Sequence, residues 1–311
     1  MTAKMEFSAG CLELGTDEAS VFYKGAMCQA GALALEYQFD QLFGYYKYRR
    51  VTLSIESPGG AIDGLEYVLR VMHKWAGQGR VVAVKSTFMC ASAAAFLLAM
   101  GEWGSRRVDR STFLLFHSAR IQGGSQAAMT AEFSGNLSRS LHSVDRKLLD
   151  LIMDKMLMEA GGADKLADLV LARALYVETH WAELAGQLTT LTSAVDPNRK
   201  PDWLKRVQRW SRYADSSKIV MEMKKHLNSV LQRDARMDLC EAYVLCLIDQ
   251  IEGVLDADSV QRAPSPVVVP QDLVPDQLQD AGAQQRPAVY RPRYAMSLHG
   301  SLATNASGCL W

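Results

Sequence analysis

The chain has 311 residues, 49% of them apolar and 22% charged, enough apolar material for a substantial core in one large domain or two ordinary ones. Its 34 Lys and Arg balance 34 Asp and Glu, so whole-chain charge gives no argument for nucleic acid or an anionic membrane as partner. The six cysteines, at positions 11, 28, 90, 240, 246 and 309, form no CxxC pair and no zinc spacing, so neither a metal nor a cofactor is expected and a reducing cytoplasm is the expected setting.

Residues 1–17 read as an irregular lead-in without the apolar core of a signal peptide. Residues 20–23 predict a strand and 30–45 a helix. Val51-Thr52-Leu53-Ser54-Ile55 alternates and is partly β-branched, so it predicts a strand that runs into the turn Ser57-Pro58-Gly59-Gly60. Leu65, Val68, Leu69, Met72 and Trp75 then recur at helical spacing over 62–76. A strand over 81–85, a helix over 91–100 and a strand over 113–116 follow. Strands alternating with helices predict an α/β fold with a largely parallel sheet.

The pattern changes after residue 124. Met129, Phe133, Leu137, Leu141, Val144, Leu148 and Ile152 form one apolar stripe, predicting a long helix over 125–158 that Gly161-Gly162 stops. A shorter helix over 163–172, an extended segment at 176–179 and a short helix over 181–185 come next. Asp196 to Pro201 is polar and carries two prolines, which predicts a linker. Residues 203–255 read as helical, and beyond 259 the chain is rich in Pro, Gln, Ala and Val without periodicity, so a disordered tail is expected. The predicted parts are a lead-in (1–17), an α/β domain (18–194), a helical extension (195–258) and a tail (259–311). No stretch approaches the ~20 apolar residues of a membrane span.

Two features carry chemistry. Ser92 stands among small residues (Cys90-Ala91-Ser92-Ala93-Ala94-Ala95) at a helix start, and His117 ends the apolar strand Phe113-Leu114-Leu115-Phe116. A serine there is ordinarily a cap or a packing residue, and a strand-end histidine ordinarily a half-exposed one. Taken together they supply a nucleophile and a base for acyl transfer, with amides of the Gly59-Gly60 turn and of Ala93 available to an oxyanion. The sequence around Ser92 is not the GxSxG elbow of α/β-hydrolases. Lys85 closes the preceding strand and offers a Ser–Lys dyad, against its ordinary reading as a solvated lysine. The basic run over 199–225 is diluted by Asp202, Asp215 and Glu222 and lacks aromatic interleaving, so no nucleic acid is expected there.

Ile55-Glu56-Ser57-Pro58-Gly59-Gly60, Ala91-Ser92-Ala93-Ala94-Ala95-Phe96-Leu97-Leu98 and Leu115-Phe116-His117, in this order and followed by Gly123, Gly124 and the long helix, resemble the proteolytic subunit of the Clp protease family over about 18–192. The resemblance implies a spiral of β-β-α units, shared with crotonases, and a projecting helix that interdigitates between stacked rings. It implies a serine endopeptidase with Ser92 as nucleophile, His117 as general base, and Gly60 and Ala93 as the oxyanion hole. It also implies polypeptide substrates, a homo-oligomeric ring and a Clp-type ATPase partner. The family's third residue is an aspartate. Its surroundings resemble Tyr176-Val177-Glu178 and Ala182-Glu183-Leu184-Ala185-Gly186, but its own position falls on Arg173 or Ala174. Asp168 is taken as the third member, with Glu178 as the other option. The departure keeps open a weak or inactive Clp-fold subunit with a scaffolding role. A crotonase-like acyl-CoA enzyme is a further rival, though it would not need Ser92 and His117 together.

Overall fold

The computed structural model describes residues 7–14, 18–120, 131–188, 196 and 198–256. Gly123, Gly124, the start of the expected long helix and the expected tail lie outside them. The chain begins with an antiparallel pair, β1 (Phe7–Leu14) and β2 (Glu18–Gly25). The strand β1 replaces the irregular lead-in expected over 1–17. Phe7 stacks on Tyr23 with ring centroids 6.1 Å apart, a cross-strand contact that a reading of local composition does not register.

Helix α1 (Gln29–Phe39) continues as a π-helical turn over Asp40–Tyr45. Then follow β3 (Arg50–Ser57), α2 (Ile62–Ala76), β4 (Val81–Ala91), α3 (Ala93–Ala99), β5 (Arg107–Asp109) and β6 (Phe113–Leu115). Helix α2 buries Leu65, Val68, Met72 and Trp75, places Asp63 in its first turn and carries His73 and Lys74 in its last, so charge complements its dipole at both ends. All seven residues of α3 are buried, in keeping with its apolar circumference.

The sheet is largely parallel, in the order β1-β2-β3-β4-β5-β7, the last being a late strand at Gln250–Glu252, and β4 is long enough to serve two neighbours. Lys85 and Ser86, in its middle, pair with β5, and its last residues, Met89 to Ala91, pair with β6. This is the mixed α/β fold that the alternation predicts.

Helix α4 (Ala131–Ala160) buries Leu148, Leu149, Ile152, Met153 and Met156 against the core. The next helix, α5 (Ala163–Thr179), overturns one expectation: 176–179 is helical, not extended. Val170, Ala174 and Val177 are buried at i, i+4 and i+7, and this shared face outweighs the β-preference of Val177 and Thr179. After α6 (Trp181–Gln187) come α7 (Asp202–Gln208), α8 (Ser216–Arg233) and α9 (Leu239–Val244). The chain then leaves the expected all-helical pattern. The short strand β7 (Gln250–Glu252) pairs parallel with β5, Val108 opposite Ile251, and so covers what would be an open sheet edge. Buried side chains from α7, α8 and α9 join those of the sheet in one core. Among the described residues no helix is long and apolar enough to cross a membrane.

Asp238 caps α9, its Oδ1 accepting from the amides of Cys240 (2.7 Å) and Glu241 (3.4 Å). Burial pushes its carboxyl up to about 6 from 3.8. A raised folded value means that its contribution is fully present below 3.8 and is lost as the pH rises through about 6. Asp238→Asn keeps an acceptor and removes the charge. Thermal unfolding of the two proteins is expected to coincide below pH 3.8, to diverge as the pH rises from 3.8 to about 6 and to differ by a constant amount above that, the Asn form being more stable by roughly 2–3 kcal/mol. A gap that does not change with pH would contradict this.

Candidate active site

Three strand ends meet at the carboxyl edge of the sheet. Ser57 of β3 lies opposite Cys90 of β4, and Ala91 opposite Leu115 of β6. The turn Pro58-Gly59-Gly60, the junction at Ser92 and the segment from Phe116 onward therefore leave the sheet side by side, where open parallel sheets place their sites.

Ser92 is the N-terminal residue of α3, yet it does not act as a side-chain cap. Its hydroxyl makes no capping bond, while its carbonyl accepts from Ala95 (3.0 Å) and Phe96 (3.2 Å). Its backbone sits at φ 54°, ψ −128°, a conformation that costs an L residue on the order of 1–3 kcal/mol and persists only where the surroundings enforce it. The enforcement is visible. The Ser92 amide donates to Leu115 O at 2.8 Å, and Gly59 lies so close that a Cβ on it would fall 2.3 Å from Ser92 Cβ and 3.0 Å from its Oγ.

Gly59 (φ 100°) and Gly60 (φ 152°) are clamped from the other side by Met27. The Met27 amide donates to Gly59 O at 2.7 Å and Ala61 donates to Met27 O at 2.8 Å. This leaves the Gly60 N–H without a partner among the described residues. Ala93 opens α3, where the first N–H groups have no intrahelical acceptor. The competing nucleophile, Cys90, is fully buried, and burial pushes its thiol up to about 12, so it is not a thiolate at neutral pH.

His117 Nδ1 lies 2.7 Å from Ser118 O. A carbonyl only accepts, so Nδ1 carries the proton of this bond and the Nε2 lone pair of the neutral ring is left to receive another. The partner of Nδ1 is thus a backbone carbonyl and not a carboxylate. The segment is fixed from outside: the Ser118 amide (3.0 Å) and hydroxyl (3.3 Å) both donate to Leu231 O near the end of α8, and the Ala119 amide donates to Asp145 Oδ1 at 2.7 Å. Arg120 pairs with Asp234 just beyond α8. No local pattern announced Asp145 or residues 231–234, because each reaches the His117 segment only through tertiary contact.

The expected third member, Asp168, lies on the exposed side of α5. Glu178 is engaged elsewhere: Lys200 Nζ lies 2.9 Å from its Oε1, and that bond holds its carboxyl below the ordinary range. Arg173 and Ala174, on which the family's aspartate position falls, are both buried, and Arg173 Nη1 donates to the carbonyls of Tyr243 (2.7 Å) and Ile248 (3.1 Å). Lys85 Nζ is 2.8 Å from Glu252 of β7, so its ammonium is engaged in an ion pair seven residues before Ser92.

Residues 16–158 match the model of the Clp protease family. No curated protein matches the chain.

Proposed function

We propose, taking the Clp protease match of residues 16–158 as premise, that this chain is a serine-type endopeptidase acting through an acyl-enzyme on Ser92. One observation carries the reading: Ser92 is held in a strained backbone against Gly59, with a hydroxyl that makes no capping hydrogen bond to α3.

In the proposed reaction Ser92 Oγ attacks the scissile carbonyl carbon and its proton passes to His117 Nε2. The negative charge on the former carbonyl oxygen is received by the Gly60 and Ala93 amides. Collapse expels the amine, which takes the proton from His117, and leaves an ester on Ser92. Water, deprotonated by the same nitrogen, then hydrolyses the ester and restores Ser92. Substrates are polypeptides. A homo-oligomeric ring with α4 projecting between subunits of the spiral fold, a cytoplasmic setting and a Clp-type ATPase partner complete the proposal, all on family grounds.

The test is labelling by a fluorophosphonate probe. The full chain is expected to label, Ser92→Ala to lose the label entirely, and His117→Ala to label at least about 100-fold more slowly. Arg173 at the aspartate position favours a second reading, a weak or inactive subunit that serves assembly. Absence of labelling in the assembled protein would establish that reading and refute the first.

A further inference from the structure

The loop that carries His117 is embraced by a part of the chain beyond the family match. Helix α8 ends at Arg233, and Asp234 follows in the left-handed conformation (φ 51°), which turns the chain back toward the sheet. Leu231 O accepts both Ser118 bonds, Arg236 Nη2 donates to Thr112 O at 3.0 Å, and the Met237 amide donates to Leu114 O at 2.8 Å. The turn over 231–237 therefore runs alongside β6 and the His117 segment, with the Asp234–Arg120 pair at its outer end.

We propose that Asp234 is the acidic positioning residue of His117, supplied by the C-terminal extension in place of the carboxylate that the family places near residue 173. It acts through the field and through the loop and does not contact substrate. The carboxylate and the negative end of α8 both favour a cation beside them, and the cation that forms during the proposed reaction is the His117 imidazolium. Arg120 is the main cause holding the Asp234 carboxyl below its ordinary range, and His117 contributes the least. The other charged groups around this segment are Arg233, paired with Glu241, Asp145, bound to the Ala119 amide, and Arg236, turned to Thr112. The side chains of Asp234 and Arg120 are each about half exposed (47% and 52%), so solvent screens the effect and it is modest.

The inference rests on the peptidase reading, and its test separates the two. Asn tolerates the left-handed conformation, so Asp234→Asn in the full chain is expected to fold. Its maximal rate of fluorophosphonate inactivation should fall about 3- to 10-fold, with the half-saturating probe concentration unchanged. Asp234→Glu should recover to within about twofold, and Arg120→Gln should label no more slowly than the wild type. The imidazole nitrogen resonances of His117, assigned by their loss in His117→Asn, should move in Asp234→Asn and return in Asp234→Glu. Resonances that stay in place, a Glu form as slow as the Asn form, or an Arg120→Gln form as slow as Asp234→Asn would overturn the proposal. The resonances report on Asp234 whether or not Ser92 reacts, whereas an unlabelled wild type would count against the peptidase reading alone.

Discussion

Gly59→Ala is expected to silence Ser92 while leaving the sheet folded. A methyl group at Gly59 would stand 2.3 Å from Ser92 Cβ and 2.8 Å from Ala91 O. Neither neighbour is the free end of a flexible side chain. Ala91 O is backbone at the end of β4, and Ser92 is held by its amide bond to Leu115 O and by the first turn of α3. Gly59 cannot retreat easily either, since its carbonyl accepts from Met27 and its amide is 3.1 Å from Ser57 Oγ. The positive φ of 100° adds backbone strain of about 1 kcal/mol for any L side chain. Overpacking adds roughly 1–3 kcal/mol, so a total loss of about 2–4 kcal/mol is expected by chemical denaturation. The effect on labelling is larger, because a displacement near 1 Å at a reacting atom lowers the rate by about 100-fold. Gly79→Ala is the matched control. Its φ is 71° and nothing lies within 4 Å of the added carbon, so it carries the strain without the collision and should label like the wild type. Equal labelling of the Gly59 and Gly79 variants would contradict the role assigned to the turn.

The parts legible in the sequence are those written in short-range patterns. Helix α2 occupies the expected 62–76 because its apolar spacing is regular and charges mark both ends. The turn at 57–60, the start of α3 and β6 are legible for a similar reason: glycine, a small-residue run and an apolar strand each act within a few residues. The same patterns cannot show partners. Strand β1 is defined by its pairing with β2, and β7 by its pairing with β5. Val177 and Thr179 favour an extended chain on their own, and only the buried face shared with Val170 and Ala174 makes them helical. The candidate site divides along the same line. Ser92, Gly59, Gly60 and His117 sit in recognisable turns and strand ends. Leu231, Asp145 and Asp234 are brought to Ser118, Ala119 and Arg120, the residues after His117, by the fold, with nothing in their neighbours to mark them. The expected Asp168 follows from placing a motif along a chain, and the exposed face of α5 on which it lies is a property of packing.

Asp249→Ala is expected to be strongly destabilising, and through stability to reach the site. Asp249 Oδ2 accepts from the Arg106 amide (3.1 Å) and Nε (2.7 Å), its Oδ1 accepts from Arg106 Nη2 (2.6 Å), and Arg173 Nη2 stands 3.6 Å away. The side chains of Asp249 and Arg106 are almost completely removed from solvent, with 1% and 0% exposed, and that of Arg173 is 5% exposed. Removing the only carboxylate of this group leaves two buried guanidinium groups uncompensated, which is expected to lower stability by about 3–5 kcal/mol. Domains are stable by roughly 5–15 kcal/mol, so the loss is a large share. Burial opposes the Asp249 charge, but Arg106 outweighs it and holds the carboxyl below 3.8. A depressed folded value gives stability that is present above 3.8 and lost as the pH falls through the folded value. The wild type should therefore lose this contribution in acid, and Asp249→Asn should lose it at neutral pH and show a flatter acid profile. Arg106 precedes β5 and Asp249 precedes β7, residues 143 apart in the chain; the same pair thus seats the extension whose turn holds the His117 segment. Hydrogen exchange would separate the two consequences. Protection lost first in β7, α9 and the end of α8, with the β2-β3-β4 ladders still protected and Ser92 labelling already slowed, is the expected order. Uniform loss of protection across the sheet would mean that the pair supports the whole core without specially seating the extension.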